Sequence, residues 1–371
     1  MKLSEIVQRI NGNIDRFTTE LEFYIGGEHM ESSELEISNR GLLKENLGKL
    51  GFKFHFAFQE RDVLFMARNP HLRKAGMVMF SGLCSDATYV LRSKDENIIS
   101  QEFLAIQLQT DHFWDYCERT KVGSVNFANN WSSIANYDFD LPPINIQKEV
   151  ASKVWSAYRV KQSYRKLLNA IDDMVKSQFI EMFGNQNTND KQWTESLVKD
   201  EFKLSMGKTP ARSNPECWEN GTHRWISISD MATYTRYTGD TGEYITDYAI
   251  TDSGIKAVPK GTIIMSFKLS IGRTAITSED IYTNEAIMAF ADFDEKKFDI
   301  DFLHFLIANK NWLLGAKQAV KGKTLNKESI GNAKIIIPPI EMQEEFASIY
   351  NQADKSKFVG FKSLSQGHYK R

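Results

Sequence analysis

One twelve-residue stretch of this chain recurs with seven of its residues unchanged. Leu141-Pro142-Pro143-Ile144-Asn145-Ile146-Gln147-Lys148-Glu149-Val150-Ala151-Ser152 returns as Ile337-Pro338-Pro339-Ile340-Glu341-Met342-Gln343-Glu344-Glu345-Phe346-Ala347-Ser348. Pro, Pro, Ile, Gln, Glu, Ala and Ser recur at a fixed offset of 196 residues. The correspondence continues upstream in the same order. Glu102-Phe103-Leu104 with a later Trp114 matches Asp301-Phe302-Leu303 with a later Trp312, and Gly123 near Ser133-Ile134 matches Gly322 near Ser329-Ile330. Ser85-Asp86-Ala87 matches Thr283-Asn284-Glu285 loosely, and Tyr24-Ile25 before Met30 matches Trp225-Ile226 before Met231. A period of this length is a duplicated domain, too long for a stacked solenoid. The chain therefore reads as domain (1–141), long helix (142–184), second domain (185–337) and shorter helix (338–371).

Two prolines disfavour helix before them and are tolerated in a first helical turn, so each Pro-Pro pair marks a strand end feeding a helix. The first helix is predicted to run from Pro143 to about Phe183, where Gly184-Asn185 supplies a C-cap signal. Its apolar seam is Ile146, Val150, Val154, Ala157, Tyr164, Leu168, Ile171, Val175 and Met182, with Lys161 and Gln178 filling two positions. Steps of mostly three and four are a coiled-coil period. About 40 residues at ~1.5 Å each give a rod of roughly 60 Å, which cannot bury its seam alone. The helix after Pro339 is the natural antiparallel partner, through Phe346, Ile349 and Ala353. Its seam then falls on Ser356 and Gly360, and the tail from Gly360 is not predicted to continue the helix.

The domains themselves read as mixed and rich in strands. Asp62–Met66, Thr262–Phe267 and Lys334–Ile337 are short apolar runs between turn residues, and Phe298 to Trp312 has helical spacing. The expected class is α+β: two similar mixed α/β domains, separated and followed by long helices forming an antiparallel coiled coil, in a pseudo-two-fold repeat. With 371 residues, 42% hydrophobic and 25% charged, the chain can fill two cores. No run approaches a membrane span, the N-terminus has no signal-peptide character, and Cys84, Cys117 and Cys217 match neither a zinc nor a disulfide spacing. A cytoplasmic protein is expected. The net charge of −2 argues against a strongly basic nucleic-acid binder, though it says little about one concave face.

Catalytic motifs are missing from the sequence. There is no Gly-x-Gly-x-x-Gly, and the Pro-Pro pairs follow Leu141 and Ile337 rather than the Asn or Asp of an amino-methyltransferase. Gly322-Lys323-Thr324 suggests a phosphate-binding loop, but Gly315 lies six intervening residues upstream where four are required. Glu28-His29 could form an acid–base pair, but no third group accompanies it.

The sequence resembles the specificity subunits of type I restriction–modification enzymes over nearly its whole length. The resemblance rests on the paired Pro-Pro-Ile-x-x-Gln boundaries and the helices after them. It also rests on Leu204-Ser205-Met206-Gly207-Lys208-Thr209-Pro210 followed by Arg224-Trp225-Ile226-Ser227-Ile228-Ser229-Asp230-Met231, and on Gly261-Thr262-Ile263-Ile264. Tyr24-Ile25-Gly26-Gly27-Glu28-His29-Met30 and Gly82-Leu83-Cys84-Ser85-Asp86 resemble another variant of the same domain. The first domain departs by lacking the Gly-x-Thr-Pro opening, as if it began late in that element.

The resemblance implies that each target-recognition domain reads one half of a split sequence on double-stranded DNA, and that the helices set the gap and dock two methyltransferase subunits. S-adenosylmethionine, ATP and Mg2+ would be held by those subunits and by restriction subunits, with no cofactor, metal or catalytic centre in this chain. A self-contained methyltransferase fragment and a two-domain scaffold that does not bind DNA remain the alternatives. On this reading the candidate DNA contacts are Glu28, His29, Arg68, Arg73, Lys74 and Lys121 in the first half, with Thr209, Ser227, Ser229, Asp230, Lys268 and Arg273 in the second. Lys321 and Lys323 are candidates for phosphates. Arg and Lys neutralise phosphates, and Arg can read guanine. Ser227 and Ser229, with Asp230, are expected on a strand that presents alternate residues to base edges.

Overall fold

The computed structural model describes residues 1–268, 270–314, 318–319, 322–323 and 325–366; 318–319, 322–323 and 358–366 are described by backbone alone. The chain forms two compact units, Met1–Tyr164 and Arg165–Arg371.

In the first unit a five-stranded sheet has the order Val7–Ile10, Thr88–Ser93, Val63–Met66, Ala75–Val78, Glu36–Ile37. A second sheet has the order Gly41–Leu42, Phe23–Ile25, Gly82–Ser85, Phe54–Phe58. The second unit repeats both with one outer strand fewer in each. Its larger sheet runs Lys203–Met206, Ile287–Ala291, Ile263–Ser266, Thr274–Ile276, and its smaller one Glu243–Ile245, His223–Ile226, Tyr282–Thr283. The predicted match of Tyr24-Ile25 with Trp225-Ile226 holds, since both stretches lie in the parallel pair of the smaller sheet. Ile25 faces Cys84 and Ile226 faces Thr283, so the true counterpart of Thr283 is one residue before the Ser85 that sequence matching chose. The runs at 62–66, 262–267 and 334–337 are strands Val63–Met66, Ile263–Ser266 and Lys334–Ile337.

Helix α1 (Gln101–Gln107) covers the larger sheet of the first unit, α2 (Ile144–Phe183) follows it, and α3 (Ile300–Ala308) and α4 (Ile340–Gln366) are the counterparts in the second unit. The repeated glutamine explains why more than the two prolines recurs. Gln147 is fully buried; its carbonyl accepts from the N–H of Ser100 (3.2 Å), and its amide donates to the carbonyls of Ile98 (2.7 Å) and Pro142 (2.8 Å). Gln343 does the same with the N–H of Asp299 (3.1 Å) and the carbonyls of Lys297 (2.9 Å) and Pro338 (2.8 Å). Ser100 and Asp299 are the N-caps of α1 and α3. One buried amide thus satisfies three backbone groups at the junction of a helix, the loop that precedes it and the neighbouring helix.

Three expectations about the helices are revised. First, α2 does end at Phe183, with Gly184 at φ 73° and its N–H on the carbonyl of Ile180 (2.8 Å), but its buried stripe is displaced in the first half. Ala151, Trp155 and Tyr158 are buried in the core of the first unit, while Ile146 and Ala157 are exposed and Val150 and Val154 are half-buried. The helix lies here against a domain, whose surface takes a different face from the one a slim partner helix would take. Second, among the described side chains the pairing with α4 lies in the later part of α2. Val175, Phe179 and Phe183 are buried and Ile171 packs beside them, with Phe179 and Phe183 on Phe346 of α4 (ring centroids 5.3 and 5.8 Å) and Asp172 paired with Lys357. Positions falling on α2 while rising on α4 make the pair antiparallel. Leu168 and Ile349 are only half-buried. Third, α4 does not stop at Gly360 but continues to Gln366, because a lone glycine costs a helix only ~1 kcal/mol.

The first domain does not begin late either. Strand Val7–Ile10 occupies the place of Lys203–Met206 at the edge of the larger sheet, and Asn11-Gly12-Asn13 follows where the second unit has Gly207-Lys208-Thr209. The element is present with different residues.

Trp114 and Trp312 are core residues, and the three cysteines are buried and unpaired. Burial pushes the Cys84 thiol up to about 12. The second core also holds a buried histidine, His304 on α3, between the Thr274 hydroxyl (3.2 Å) and the Tyr350 hydroxyl (3.2 Å). Burial, reinforced by the Arg236 charge, lowers its pKa to about 4, against the opposing effects of Thr274 and Asp301. The unfolded chain takes up this proton near pH 6.5 and the folded one only near 4. The stability His304 permits is therefore complete above 6.5 and lost as pH falls towards 4, by about 3 kcal/mol in all. Urea unfolding of the parent and of His304→Gln at several pH values tests this; equal slopes of stability against pH between 6.5 and 4 in the two proteins would contradict it.

Candidate nucleic-acid interface

The sequence-predicted contacts fall into separate groups within each unit. In the first, Glu28 and His29 form a 3-10 turn, Gly27–His29, after strand Phe23–Ile25. His29 Nδ1 accepts the Gly26 N–H (2.9 Å), and the ring stands edge-on to Tyr24 (5.0 Å). A nitrogen engaged by a backbone donor cannot take a proton for Glu28, whose carboxylate is 3.7 Å away and largely exposed. The pair is a turn with one outward carboxylate, and its acid–base reading is withdrawn. Lys74 joins this group by donating to the Gly27 carbonyl (2.7 Å).

Arg68 and Lys121 belong to a second group. Arg68 is exposed and bridges Ala128, while Lys121 lies 4.4 Å over the Phe127 ring and pairs with Glu118 (2.6 Å). Between them the loop 122–127 carries Gly123 at φ 107° and Val125 almost wholly in water. Arg73 is committed to Asp111 (2.6 Å) and stands apart.

In the second unit Ser227, Ser229 and Asp230 are not on a strand. The strand ends at Ile226, and Ser227 is the N-cap of a short helix, Ile228–Met231. Ser227 Oγ and N–H both donate to Asp230 Oδ2 (2.7 and 2.8 Å), while the Thr241 hydroxyl (3.0 Å) and Gly242 N–H (3.1 Å) complete its shell. Burial opposes ionisation, but these four donors outweigh it and hold the Asp230 carboxyl below the usual carboxylate range. Period-two spacing was misleading because a capping box also places Ser and Asp three apart. Asp230 thus holds its own turn together while staying half-buried, and Ser229 at its edge is exposed.

Thr209 and Lys268, by contrast, are brought together. The Thr209 hydroxyl donates to Glu285 and accepts from Asn284 Nδ2 (3.0 Å). That bond, with the charges of Lys268 and Arg212 nearby, holds the Glu285 carboxyl below the usual range despite partial burial. Arg273 is exposed and donates to the Ala232 carbonyl (3.0 Å). Lys323 lies in a two-residue strand paired with Gln318–Ala319, a setting unlike a phosphate-binding loop; its side chain and all of Lys321 lie outside the described residues. Arg16 and Arg212 form a further pair at the repeat offset, and Arg212 lies close enough to Glu285 to lower its pKa.

Comparison with known proteins agrees with the duplication. The family model described as the type I restriction modification DNA specificity domain matches residues 1–171 and again 190–358. The type I restriction enzyme MjaIX specificity subunit of Methanocaldococcus jannaschii is 27% identical over 168 residues, 44% of this chain and 38% of that protein. The EcoR124I/EcoR124II specificity subunit of Escherichia coli is 26% identical over 156 residues, 40% and 37% of the two. The matched stretch thus spans less than two fifths of these relatives' own length. Among solved structures, the S subunit of a type I restriction–modification system from M. genitalium superposes with a TM-score of 0.57 at 11% identity, covering 99% of this chain and 91% of that one. A chain from a study of complex assembly and conformational transition of the type I R-M system gives 0.52 at 15%, covering 99% and 92%. The fold is shared with both. With most of both halves matched by one domain model, the chain belongs to the type I restriction–modification DNA specificity family and carries its characteristic domain twice.

Proposed function

We propose that this chain is the DNA-recognition subunit of a type I restriction–modification complex. The observation that carries the reading is the duplication: two units that share four strands of the larger sheet, three of the smaller and the same glutamine clamp, on one continuous 40-residue helix. Each unit reads one part of a split duplex target, and α2 sets the length left unread between them. Two methyltransferase subunits dock on the helices and methylate adenine with S-adenosylmethionine; restriction subunits bring ATP and Mg2+. The outer face of α2 suits such docking, since Val160, Leu167 and Met174 recur every seven residues and are each about half exposed. The chain itself performs no chemistry. Among the described residues no helix is long and apolar enough to cross a membrane.

The test is to express the chain with the methyltransferase encoded beside it and map methylated adenines across the host genome. A bipartite motif with a fixed gap is expected with both proteins present and none with either alone. Methylation or ATP hydrolysis by the purified chain alone would overturn the assignment.

A further inference from the structure

Arg16 and Arg212 occupy equivalent positions of the repeat, 196 residues apart, and each lays its guanidinium on an aromatic ring. Arg16 lies 4.8 Å over Phe17, and its Nη1 donates to the carbonyls of Leu50 (2.9 Å) and Gly51. Backbone bonds from Ile14 to His55 (2.8 Å) and from Ala57 to Gly12 (2.9 Å) align the same two segments. The clasp fixes a tip on the smaller sheet from which Phe17 and Phe52 project, 68% and 80% exposed. No other phenylalanine among the described residues is exposed to that degree, and Phe58, on the strand that follows, is buried in the core. Around Phe52, residues 46–59 hold Lys49, Lys53 and His55 and no Asp or Glu, whereas Phe17 has Arg16 and Asp15 beside it and Glu20 and Glu22 further along.

The second unit also sets an arginine on aromatic rings, but with a carboxylate as its partner and with one of the rings buried. Arg212 lies over Trp218 (4.1 Å) and Trp225 (4.7 Å) and grips the Glu243 carboxylate through both terminal nitrogens. Beside it a cleft of about 550 Å3 is lined by Pro215, Trp218, Gly221 and Tyr244.

We infer that Phe17 and Phe52, on the two segments that Arg16 joins, form a base-stacking wedge that the first unit sets against duplex DNA, and that Arg212 with Trp218 and Tyr244 plays the corresponding part in the second. The inference rests on the DNA-recognition reading above. Aromatic faces stack on any base, and apolar side chains entering a base step unstack and bend the duplex. Lys49 and Lys53 flank the rings to meet phosphates, Lys53 exchanging its present partner Asp86 (2.9 Å) for one. The Phe52 loop, basic over residues 46–59, favours a polyanion over a protein as the occupant, and Arg16 offsets Asp15 beside Phe17. Specificity from such a wedge comes through the deformability of the step it enters. In the second unit Glu243 adds an acceptor suited to the amino group of cytosine or adenine.

The test is equilibrium binding of the assembled complex, full chain with its methyltransferase subunits, to a duplex bearing its mapped methylation site, over a range of salt. Phe17→Ala with Phe52→Ala is expected to weaken binding tenfold or more with the salt slope unchanged, because stacking releases no counterions. Lys49→Ala is expected to flatten the slope by about one. Phe52→Trp adds a direct probe, its added fluorescence quenched by the specific duplex. Affinity within twofold of the parent, with no quenching, would overturn the wedge and leave the recognition reading standing. Loss of methyltransferase assembly in the Ala variant would also overturn it, identifying a protein-docking face. A parent complex that binds no duplex would overturn both.

Discussion

Replacing Asp301 with alanine is expected to lower the stability of the second unit by about 3 kcal/mol or more, within the range for removing one partner of a buried ion pair. The loss arises because Arg236 is left behind. Its side chain is buried, ion-paired to Asp301, 3.7 Å from Asp354 and 4.4 Å over the Tyr350 ring. Asn351 of α4 holds the other oxygen of Asp301 (2.8 Å). One guanidinium therefore joins a surface segment of the recognition domain to both α3 and α4. Without Asp301 the charge faces only a distant carboxylate, and water has to enter the joint. Thermal unfolding reads the effect, at roughly 2–4 °C per kcal/mol for a unit of this size. Asp301→Ala combined with Arg236→Met removes the stranded charge and is expected to recover most of the loss. A single variant as stable as the parent would show that the joint contributes nothing.

The first unit makes the matching joint with the charges reversed. Glu34, buried, receives Lys161 Nζ (3.2 Å) and Gln162 Nε2 (2.8 Å) from α2. In one unit the domain supplies the acid and the helix the base; in the other the domain supplies the base and the helices the acids.

These joints also locate where α2 can be lengthened. Gln162 holds the first unit and Ile171 packs on the second core, so an insertion between them changes the spacer without touching either anchor. Four residues add about 6 Å and turn the helix about 40° beyond a full turn. At about 3.4 Å per base pair this is slightly under two base pairs. Insertion of four alanines after Leu168 is expected to lengthen the unread gap by one or two base pairs, or to abolish methylation, with both half-sites unchanged. An active variant that methylates with the original gap would remove α2 from the role of ruler.

Much of this architecture was legible in the sequence for physical reasons that can be named. The repeated Pro-Pro-Ile-x-x-Gln survives in both halves because a buried amide with three backbone partners tolerates no substitute. The end of α2 was legible because Gly184 adopts a left-handed conformation that other residues resist. The burial stripe of α2 is not legible from its period, because periodicity shows that a helix is amphipathic and not which body covers it; Trp155 and Tyr158 face a domain instead of a partner helix. Ser227 and Asp230 were misplaced because alternation and a capping box share residues. The candidate contacts were the least legible part. Charge marks a surface without saying which cations are already engaged, as Arg73 is by Asp111 and Lys121 by Glu118. Glu34 and Arg236 lie in no repeated motif, and their importance follows only from burial.

The central claim is that two units read two half-sites independently. It is tested most directly by replacing residues 1–140 with the same region of another family member and mapping adenine methylation genome-wide beside the parent. The account predicts that one half of the bipartite motif changes while the other half and the gap stay as they were. A change in both halves, or a motif with no gap, would contradict it.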